Sequence, residues 1–202
     1  NGVNIKKFNT AKPYLKSELV PNLNENSKLL CMIGRFTIQK DQPTIIKAMK
    51  YVPENVHLIL VGEGSLKKQN QDLVKSLSLE NRVHFLGIRN DVSRILKTSD
   101  IVILSSNWEG FGLAAVEGMA AGKPVIASDV LGLGDIVKGS GITFKKGNSL
   151  ELANAINNLL NDPDIYNKVA TACFEKSKQY DINTMVKKYI DIYRSVLSWN
   201  IG

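Results

Sequence analysis

The sequence NWEGFGLAAVEGMAAG, from Asn107 to Gly122, decides how this chain is expected to fold. It follows the apolar run from Ile101 to Leu104 and changes within a few residues from a polar loop into an alanine-rich stretch that favours helix. Gly110 and Gly112 flank Phe111, and glycine permits both positive φ and the close approach of a ligand. Free N–H groups at the start of a helix attract anions. The stretch therefore predicts a junction of strand, loop and helix that binds an anion.

Two carboxylates lie on either side of the predicted start of this helix. Glu109 precedes it, and Glu117 lies eight residues later, about two helical turns along. Both side chains can then face one crevice, where they would accept hydrogen bonds from hydroxyl groups better than they would tolerate phosphates. This pattern predicts a ligand that is both sugar-like and phosphorylated. The alternative is that Glu117 is an ordinary helical residue and that Glu109 only adds negative charge at the helix start.

Apolar runs alternate with helical patterns over most of the chain. The expected strands are Leu29 to Ile33, Val56 to Val61, Val83 to Leu86, Ile101 to Leu104, Pro124 to Ala127 and Gly141 to Phe144. Helices are expected between them at Pro43 to Met49, Ser65 to Leu77, Val92 to Thr98 and after Gly112. Runs that are apolar throughout belong in a sheet buried on both faces, and alternation with helices makes that sheet parallel. The sequence predicts an α/β fold, with a Rossmann-like doubly wound parallel sheet of about six strands.

The two ends of the chain depart from this alternation. Residues 1–27 are rich in Asn, Lys and Pro and are expected to form an irregular linker from a missing domain, with at most a helical turn at Tyr14 to Leu19. Residues 28–202 are expected to form the ligand-binding domain. Extra C-terminal helices are expected at Leu150 to Leu160, Ile165 to Tyr180 and Asn183 to Trp199. The last of these should pack on a surface through Met185, Tyr189, Ile192, Val196 and Trp199.

Composition limits the class of protein and its partners. The chain has 202 residues, 44% of them hydrophobic, which suits one domain with one good core. Its formal net charge of +7 favours anionic partners such as phosphates, an anionic membrane surface or nucleic acid, and charge alone does not choose among them. Cys31 and Cys173 lie in apolar patterns without metal-binding or disulfide spacing, so we expect reduced core thiols and a cytoplasmic location. The sequence predicts neither a membrane span nor a signal peptide.

Ligands of open parallel sheets bind at the carboxyl ends of the strands, so the residues just after each apolar run are candidates. Besides the junction, these candidates are Gly34, Arg35 and Lys40 after the first strand, Gly62 after the second, and Gly87, Ile88 and Arg89 after the third. The guanidinium of Arg35 and the ammonium of Lys40 suit a diphosphate. The alternative is that both are solvated surface charges.

Other ligand classes receive no support. Gly62 and Gly64 are not followed by the third glycine of a dinucleotide fingerprint, because Lys67 stands there, and no P-loop motif occurs in the chain. His57 and His84 alternate with apolar residues inside strands and are expected to be structural. We therefore expect no nicotinamide cofactor, no P-loop nucleotide and no metal.

These candidates together resemble a family. The sequence resembles the group 1 (family 4) retaining glycosyltransferases of the GT-B fold in Gly34-Arg35 with Lys40, Gly62-Glu63-Gly64, the run Arg82 to Gly87, Ser99-Asp100, and Glu109-Gly110-Phe111-Gly112 with Glu117. The resemblance covers nearly the whole chain but only the C-terminal, donor-binding half of such an enzyme. One departure is Asp41 after Lys40, where many members have Gly. The nearest similarity is to bacterial surface-polysaccharide enzymes that build O-antigen, lipopolysaccharide or capsule.

The resemblance implies a role for each candidate. Arg35 and Lys40 would clamp the diphosphate, Glu117 would hold the ribose, and Glu109 would hold the sugar. It makes Arg35, Lys40 and Glu109 the catalytic residues. Donor binding would further involve Gly34, Gly62, the base-bordering Gly87, Ile88 and Arg89, and the backbone N–H groups of Gly110, Phe111, Gly112 and Leu113.

The implied reaction is transfer of a glycosyl unit with retention at the anomeric carbon, without a metal or other cofactor. The donor would be a nucleoside-diphosphate sugar, with UDP-N-acetylhexosamine or UDP-hexose expected, and the acceptor a saccharide or lipid-linked saccharide. The implied partners are a missing N-terminal acceptor domain and the inner face of the cytoplasmic membrane, with no nucleic acid, and the chain alone should not catalyse transfer. Two alternatives are a GT-B-like UDP-sugar 2-epimerase and a non-catalytic module that binds phosphate or membrane.

Overall fold

The computed structural model describes the backbone of residues 1–199 and the side chains of residues 1–196. Its centre is a parallel sheet of six strands in the order β3-β2-β1-β4-β5-β6. The strands are β1 (Lys28–Ile33), β2 (Val56–Val61), β3 (Val83–Gly87), β4 (Ile101–Leu104), β5 (Val125–Ser128) and β6 (Ile142–Phe144). This order reverses direction between β1 and β4, as in doubly wound sheets. The predicted fold class is confirmed, and each predicted strand lies within a residue of its observed position.

The connections and the C-terminal region are helical. The α-helices are α1 (Ile5–Asn9), α2 (Lys16–Leu19), α3 (Gln42–Ala48), α4 (Lys67–Ser76), α5 (Val92–Thr98), α6 (Leu113–Ala120), α7 (Gly134–Val137), α8 (Ser149–Asn161), α9 (Pro163–Ser177) and α10 (Ile182–Trp199). Two short 3₁₀ turns cover Met49–Tyr51 and Lys178–Tyr180. Neither α1 nor α7 was predicted, because helices of four or five residues are too short to show an apolar period.

The sheet is buried on both faces. Alternate residues of β1 enter different clusters: Leu29 and Cys31 pack with α5 and α6, whereas Leu30 and Met32 pack with α3 and α8. This explains why the strands read as continuous apolar runs. The buried thiols fit the same picture, because burial raises the pKa of Cys31 to about 12 and that of Cys173 to about 11. Both cysteines are unpaired core residues, as predicted.

Residues 1–27 are more ordered than their composition suggests. The side chains of Val3, Phe8 and Leu19 are buried in the cluster that also contains Leu29. Val3 also bridges to the far end of the chain, since its N–H donates to the carbonyl of Tyr180 over 2.9 Å. The segment is mostly irregular, as predicted, but it contains one helix more than predicted, α1, and a few well-spaced apolar residues fix it on the domain. Its role as a connection to another domain stays a prediction.

The last helix, α10, does not bury its apolar face on the described residues. Six of its large apolar side chains are 43% to 64% exposed, whereas Ile182 and Met185 at its start are half-buried. The six are Val186, Tyr189, Ile190, Ile192, Tyr193 and Val196. Of the face expected to pack, only Met185 is half-buried within residues 1–196, and Tyr189, Ile192 and Val196 are exposed. The side chain of Trp199, which was part of that expectation, lies outside the described residues. None of the helices in the described chain is long and apolar enough to cross a bilayer.

The two histidines form a pair at the amino ends of β2 and β3. His57 Nδ1 lies 3.2 Å from His84 Nε2, and the rings stack with their centroids 5.5 Å apart. Burial lowers the pKa of both rings; the charge of Arg82 lowers the pKa of His57 further, and His57 helps to lower that of His84 to about 4. The pair lies at the end of the sheet opposite the ligand-binding edge, which agrees with the predicted structural role.

We predict that this pair makes the protein sensitive to mild acid. An unfolded histidine titrates near pH 6.5, so between about pH 6.5 and pH 4 the unfolded chain binds more protons at His84 than the folded chain does. The contribution of His84 to the free energy of unfolding is therefore at its full value above pH 6.5, and it declines as the pH falls towards 4. Urea unfolding at several pH values should show a shallower decline in His84→Gln than in the wild type. Parallel pH profiles for the two proteins would contradict this prediction.

Candidate functional site

The loops after β1 and β4 are joined by hydrogen bonds across the switch point of the sheet. The backbone N–H of Asn107 donates to the carbonyl of Gln39 over 2.7 Å, and the Asn107 side chain donates to the carbonyl of Ile38 over 2.7 Å. In return, Gln39 Nε2 donates to the carbonyl of Trp108 over 3.1 Å. The two loops therefore form one unit at the carboxyl edge of the sheet, where ligands of this architecture bind.

A nearly buried ion pair lies inside this unit. Lys40 Nζ donates a hydrogen bond to Glu109 Oε1, and the two side chains are only 19% and 7% exposed. The fully buried Ser106 hydroxyl donates to the same oxygen over 2.8 Å. Oε1 is thus shared by two donors, which leaves Oε2 as the acceptor that can meet a ligand. The ammonium of Lys40 likewise keeps N–H groups that Glu109 Oε1 does not use.

Sequence reasoning assigned Lys40 and Glu109 to different parts of the ligand and missed their contact. The two residues are 69 positions apart, and only the pairing of β1 with β4 brings them together. Lys40 was expected to act beside Arg35, whose side chain is exposed at the other end of the same loop. The structure therefore makes Glu109 the immediate partner of Lys40.

A cavity of about 490 Å³ opens beside this pair at the ends of β1, β2 and β3. Five of the predicted residues line it: Gly34, Arg35, Gly62, Ile88 and Arg89. The rest of the lining is Ile33, Val61, Glu63, Gly64 and Val92. Gly62 adopts a φ of +138°, and a Cβ there would lie 2.2 Å from the carbonyl oxygen of Gly34. The two loops can approach so closely only because this position has no side chain. Gly87 lies just behind, where its carbonyl accepts the N–H of Gly62 over 2.8 Å.

The junction from Asn107 to Gly122 folds as predicted, with α6 beginning at Leu113. Gly112 caps this helix with a φ of +80°, a conformation that glycine adopts without strain. Phe111 packs edge-on against Tyr180, with the ring centroids 5.5 Å apart, so its side chain anchors the loop and only its backbone can serve a ligand. Gly110 is open, since a Cβ there would meet nothing within 4 Å.

Two further residues shape these loops. Gly132, in the turn after β5, has a φ of +81°, and a Cβ there would lie 2.4 Å from the carbonyl oxygen of Glu109. Sequence reasoning missed Gly132, because one glycine in a loop carries no signal about which backbone it will meet. Asp41 adopts a φ of +48°, a left-handed conformation that Asp tolerates better than most residues. The departure from Gly at this position therefore preserves the shape of the loop.

Glu117 lies in a different environment from Glu109. It is half-buried on α6, and burial raises the pKa of its carboxyl group, while the charge of Lys7 on α1 lowers it. Within the described part of the chain its carboxylate accepts no hydrogen bond, so it can accept hydroxyl groups of a ligand. Among the described side chains, no three His, Cys, Asp or Glu residues lie close enough together to hold a metal ion.

We predict that the ion pair of Lys40 and Glu109 is strongly coupled. Lys40→Met and Glu109→Gln should each lower the free energy of unfolding by about 3 kcal/mol, because each leaves a nearly buried charge unpaired. The double variant should lose much less than the sum of the two. The matched control is the exposed pair of Lys68 and Asp72, 2.8 Å apart, where Lys68→Met should cost less than about 1 kcal/mol. Additive losses at Lys40 and Glu109 in urea unfolding would contradict the coupling.

Comparison with known proteins gives a consistent result. A family model described as "Glycosyl transferases group 1" matches residues 16–178. The chain is 32% identical to the Escherichia coli UDP-Gal:alpha-D-GlcNAc-diphosphoundecaprenol alpha-1,3-galactosyltransferase, over 96% of this chain and 52% of that protein. It is 29% identical to the Campylobacter jejuni N,N'-diacetylbacillosaminyl-diphospho-undecaprenol alpha-1,3-N-acetylgalactosaminyltransferase, over 97% of this chain and 53% of that protein.

Solved structures agree with these sequence relatives. Anabaena Alr3699/HepE, in a complex with UDP and glucose, superposes with a TM-score of 0.88 and 31% identity over 96% of this chain and 56% of that one. HepE has also been crystallised with UDP and with UDP-glucose. The present chain spans about half the length of the curated relatives it matches. By its sequence and its fold, this chain belongs to the group 1 glycosyl transferases.

Proposed function

We propose that this chain is the nucleotide-sugar-binding half of a retaining glycosyltransferase, of the family 4 type that the sequence resembles. The observation that carries the proposal is the juxtaposition at the switch point: a shared Lys40 and Glu109 pair lies beside a cavity lined by Arg35 and Arg89. Cations, a carboxylate oxygen and an apolar slot then lie along one edge of the sheet. A nucleoside-diphosphate sugar needs these three kinds of contact.

Each part of such a donor has a candidate partner. Arg35 and Lys40 would hold the diphosphate, and the first-turn N–H groups of α6 would add partial positive charge beside it. The free Oε2 of Glu109 would accept a hydroxyl of the sugar, and Glu117 would accept the ribose hydroxyls. The apolar slot would take the base. In this arrangement the carboxylates contact hydroxyl groups and the cations contact phosphates, so no like charges face each other.

The proposed chemistry depends on charge that develops on the leaving group. As the glycosidic bond to the diphosphate breaks, negative charge accumulates on the departing oxygen, and fixed cations stabilise it without reorganisation. Lys40 is fixed by Glu109, so its ammonium is in place before the donor arrives. We propose that transfer retains the anomeric configuration and needs no metal ion.

The relatives guide the choice of donor and acceptor. HepE binds UDP and UDP-glucose, and the E. coli relative takes its sugar from UDP-Gal, so UDP is the proposed carrier, with a hexose or N-acetylhexosamine as the sugar. Both named bacterial relatives act on diphosphoundecaprenol-linked sugars, which supports a lipid-linked acceptor in polysaccharide synthesis, of the O-antigen or lipopolysaccharide kind. The family match favours this activity over a 2-epimerase or a simple phosphate-binding module. An acceptor half outside this chain would supply the second substrate, so the chain alone should bind donor without transferring it.

We further propose a cytoplasmic enzyme that makes peripheral contact with an anionic membrane, where a lipid-linked acceptor would be presented. Lysines near the two ends of the chain, at positions 6, 7, 12, 16, 187 and 188, are candidates for this contact. Lys16 is unsuited to it, because its ammonium is bound to Asp100 over 3.0 Å and its side chain is only 13% exposed.

The role of Arg35 is tested by separating the nucleoside from its phosphates. In calorimetric titrations the chain should bind UDP in preference to GDP and ADP. Arg35→Ala should weaken UDP binding about tenfold, in line with the loss of one charged hydrogen bond, while its affinity for uridine stays unchanged. Lys68→Ala, on the exposed side of α4, is the matched control and should bind UDP normally. Unchanged UDP affinity in Arg35→Ala would show that Arg35 is only a surface charge.

The two glutamates should affect different parts of the donor. Glu117→Gln should weaken UDP and UDP-sugar equally, by about 1.5 to 3 kcal/mol for lost charge-assisted hydrogen bonds to the ribose. Glu109→Gln should mainly reduce discrimination among UDP-glucose, UDP-galactose and UDP-N-acetylglucosamine, and it should weaken UDP binding less than Glu117→Gln does, because it affects UDP only by loosening Lys40. Titration of both variants with UDP and the three sugar nucleotides measures both effects. An identical loss for every ligand in both variants would mean that the two roles are assigned wrongly.

A further inference from the structure

Arg89, which lines the cavity, is held in place by an adjacent carboxylate. Its Nε donates to Asp91 Oδ1 over 2.8 Å and its Nη2 donates to Asp91 Oδ2 over 2.5 Å. A bidentate contact of this kind fixes the plane of the guanidinium as well as its position. Asp91 precedes α5, and its side chain caps no backbone N–H of that helix. The carboxylate of Asp91 is therefore committed to side-chain partners.

The second partner of Asp91 comes from the N-terminal segment. The Tyr14 hydroxyl donates to Asp91 Oδ2 over 2.5 Å, and the Tyr14 N–H donates to Thr98 Oγ1 over 2.8 Å. The guanidinium of Arg94 covers the ring of Tyr14 at 3.6 Å from its centroid. Tyr14 is thus fixed by three contacts to α5 and to the residue that precedes it. It lies outside residues 16–178, which the family model matches.

The charges of this group are stable over the physiological range. Hydrogen bonds from Arg89 and then from Tyr14 outweigh burial and hold the pKa of Asp91 well below its usual range. The hydrogen bond to Asp91 raises the pKa of Tyr14, so its hydroxyl keeps the proton that it donates. The series of hydrogen bonds that links Tyr14 to Asp91 and Asp91 to Arg89 therefore has one arrangement of donors and acceptors.

The cavity beside Arg89 has the composition of a slot for a flat, partly polar ring. Its apolar walls come from Ile33, Val61, Ile88 and Val92. Of its other charged residues, Arg35 lies on the loop assigned to the diphosphate, and Glu63 is paired with Lys67 over 2.5 Å. Arg89 is then the charged group best placed to meet the base. Because arginine only donates hydrogen bonds, it favours a base edge that carries carbonyl oxygens and disfavours one that carries an amino group.

We propose that Tyr14 and Asp91 are positioning residues that fix the Arg89 guanidinium against the base of the bound nucleotide, and that this fixed donor selects uracil over cytosine. The inference rests on the proposed function and specifies how its base is chosen. Uracil and cytosine have nearly the same shape and differ along one edge, where uracil carries a carbonyl oxygen and an N–H and cytosine carries an amino group and a bare ring nitrogen. A guanidinium that donates to this carbonyl oxygen of uracil would face the amino group of cytosine. Discrimination between them therefore reports on hydrogen bonding at that edge rather than on the size of the slot.

Calorimetric titration with UDP and CDP tests this proposal. The wild-type chain should bind UDP at least tenfold more tightly than CDP. Tyr14→Phe and Asp91→Asn should each lower that ratio by about threefold to tenfold, mainly through weaker UDP binding, because Arg89 loses its fixed orientation. Arg89→Lys should lower it by about tenfold although it keeps the positive charge, because an ammonium cannot make the bidentate contact.

The matched control is Tyr166→Phe, which removes a tyrosine hydroxyl that donates to the Asp100 carbonyl over 2.8 Å, away from the cavity. It should lose as much thermal stability as Tyr14→Phe and keep the wild-type ratio of UDP to CDP affinity. A ratio unchanged in Tyr14→Phe, or equal losses for UDP and CDP in the three variants, would overturn the positioning role. Equal binding of UDP and CDP by the wild type would overturn the base selection and leave the proposed function standing, whereas binding of no nucleotide would overturn both.

Discussion

The pairing of β1 with β4 is the constraint on which the rest of the structure depends. Leu30 lies opposite Ile101 and Cys31 opposite Val102, although the two strands are separated in sequence by two complete strand-and-helix units. The connections that leave these strands must pass to opposite sides of the sheet, so the loops at their carboxyl ends enclose a crevice. This register brings the β1 loop and the β4 loop into hydrogen-bonding contact. Everything assigned to ligand binding lies in these two loops or borders them.

The ion pair within the crevice has a chemical consequence beyond stability. Two nearly buried charges are tolerable only while each satisfies the other, so Lys40 and Glu109 hold a defined geometry without a ligand. A donor that approached an isolated lysine would have to order it, whereas here the ordering is already complete. Ser106 strengthens this preorganisation, because it binds the oxygen that Lys40 also uses and leaves the other oxygen free. The same carboxylate therefore positions a cation for phosphate and offers an acceptor to a hydroxyl.

The sequence was sufficient to predict the sheet and most of the edge residues, because continuous apolar runs and the glycines after them are local signals. It did not predict which edge residues touch. The contact of Lys40 with Glu109 and the close approach of Gly132 to Glu109 both depend on strand order, which no local pattern contains. The sequence also gave no sign that the N-terminal segment contains α1 and packs on the domain, because few apolar residues are spread along it. Their burial in the structure shows that the spacing of these apolar residues along the chain, rather than their number, fixes the segment on the domain.

The N-terminal segment reaches the binding edge at two separate points. Burial raises the pKa of the Glu117 carboxyl group, and Lys7 on α1 lies close enough to offset part of that rise. Tyr14 binds Asp91, which in turn holds Arg89. One of these residues neighbours the proposed ribose contact and the other the proposed base contact. Val3 also ties the start of this segment to Tyr180, the residue against which Phe111 packs. A displacement of residues 1–27 would therefore be transmitted to the ribose contact, the base contact and the loop that carries Glu109, so the segment acts as part of the site's framework.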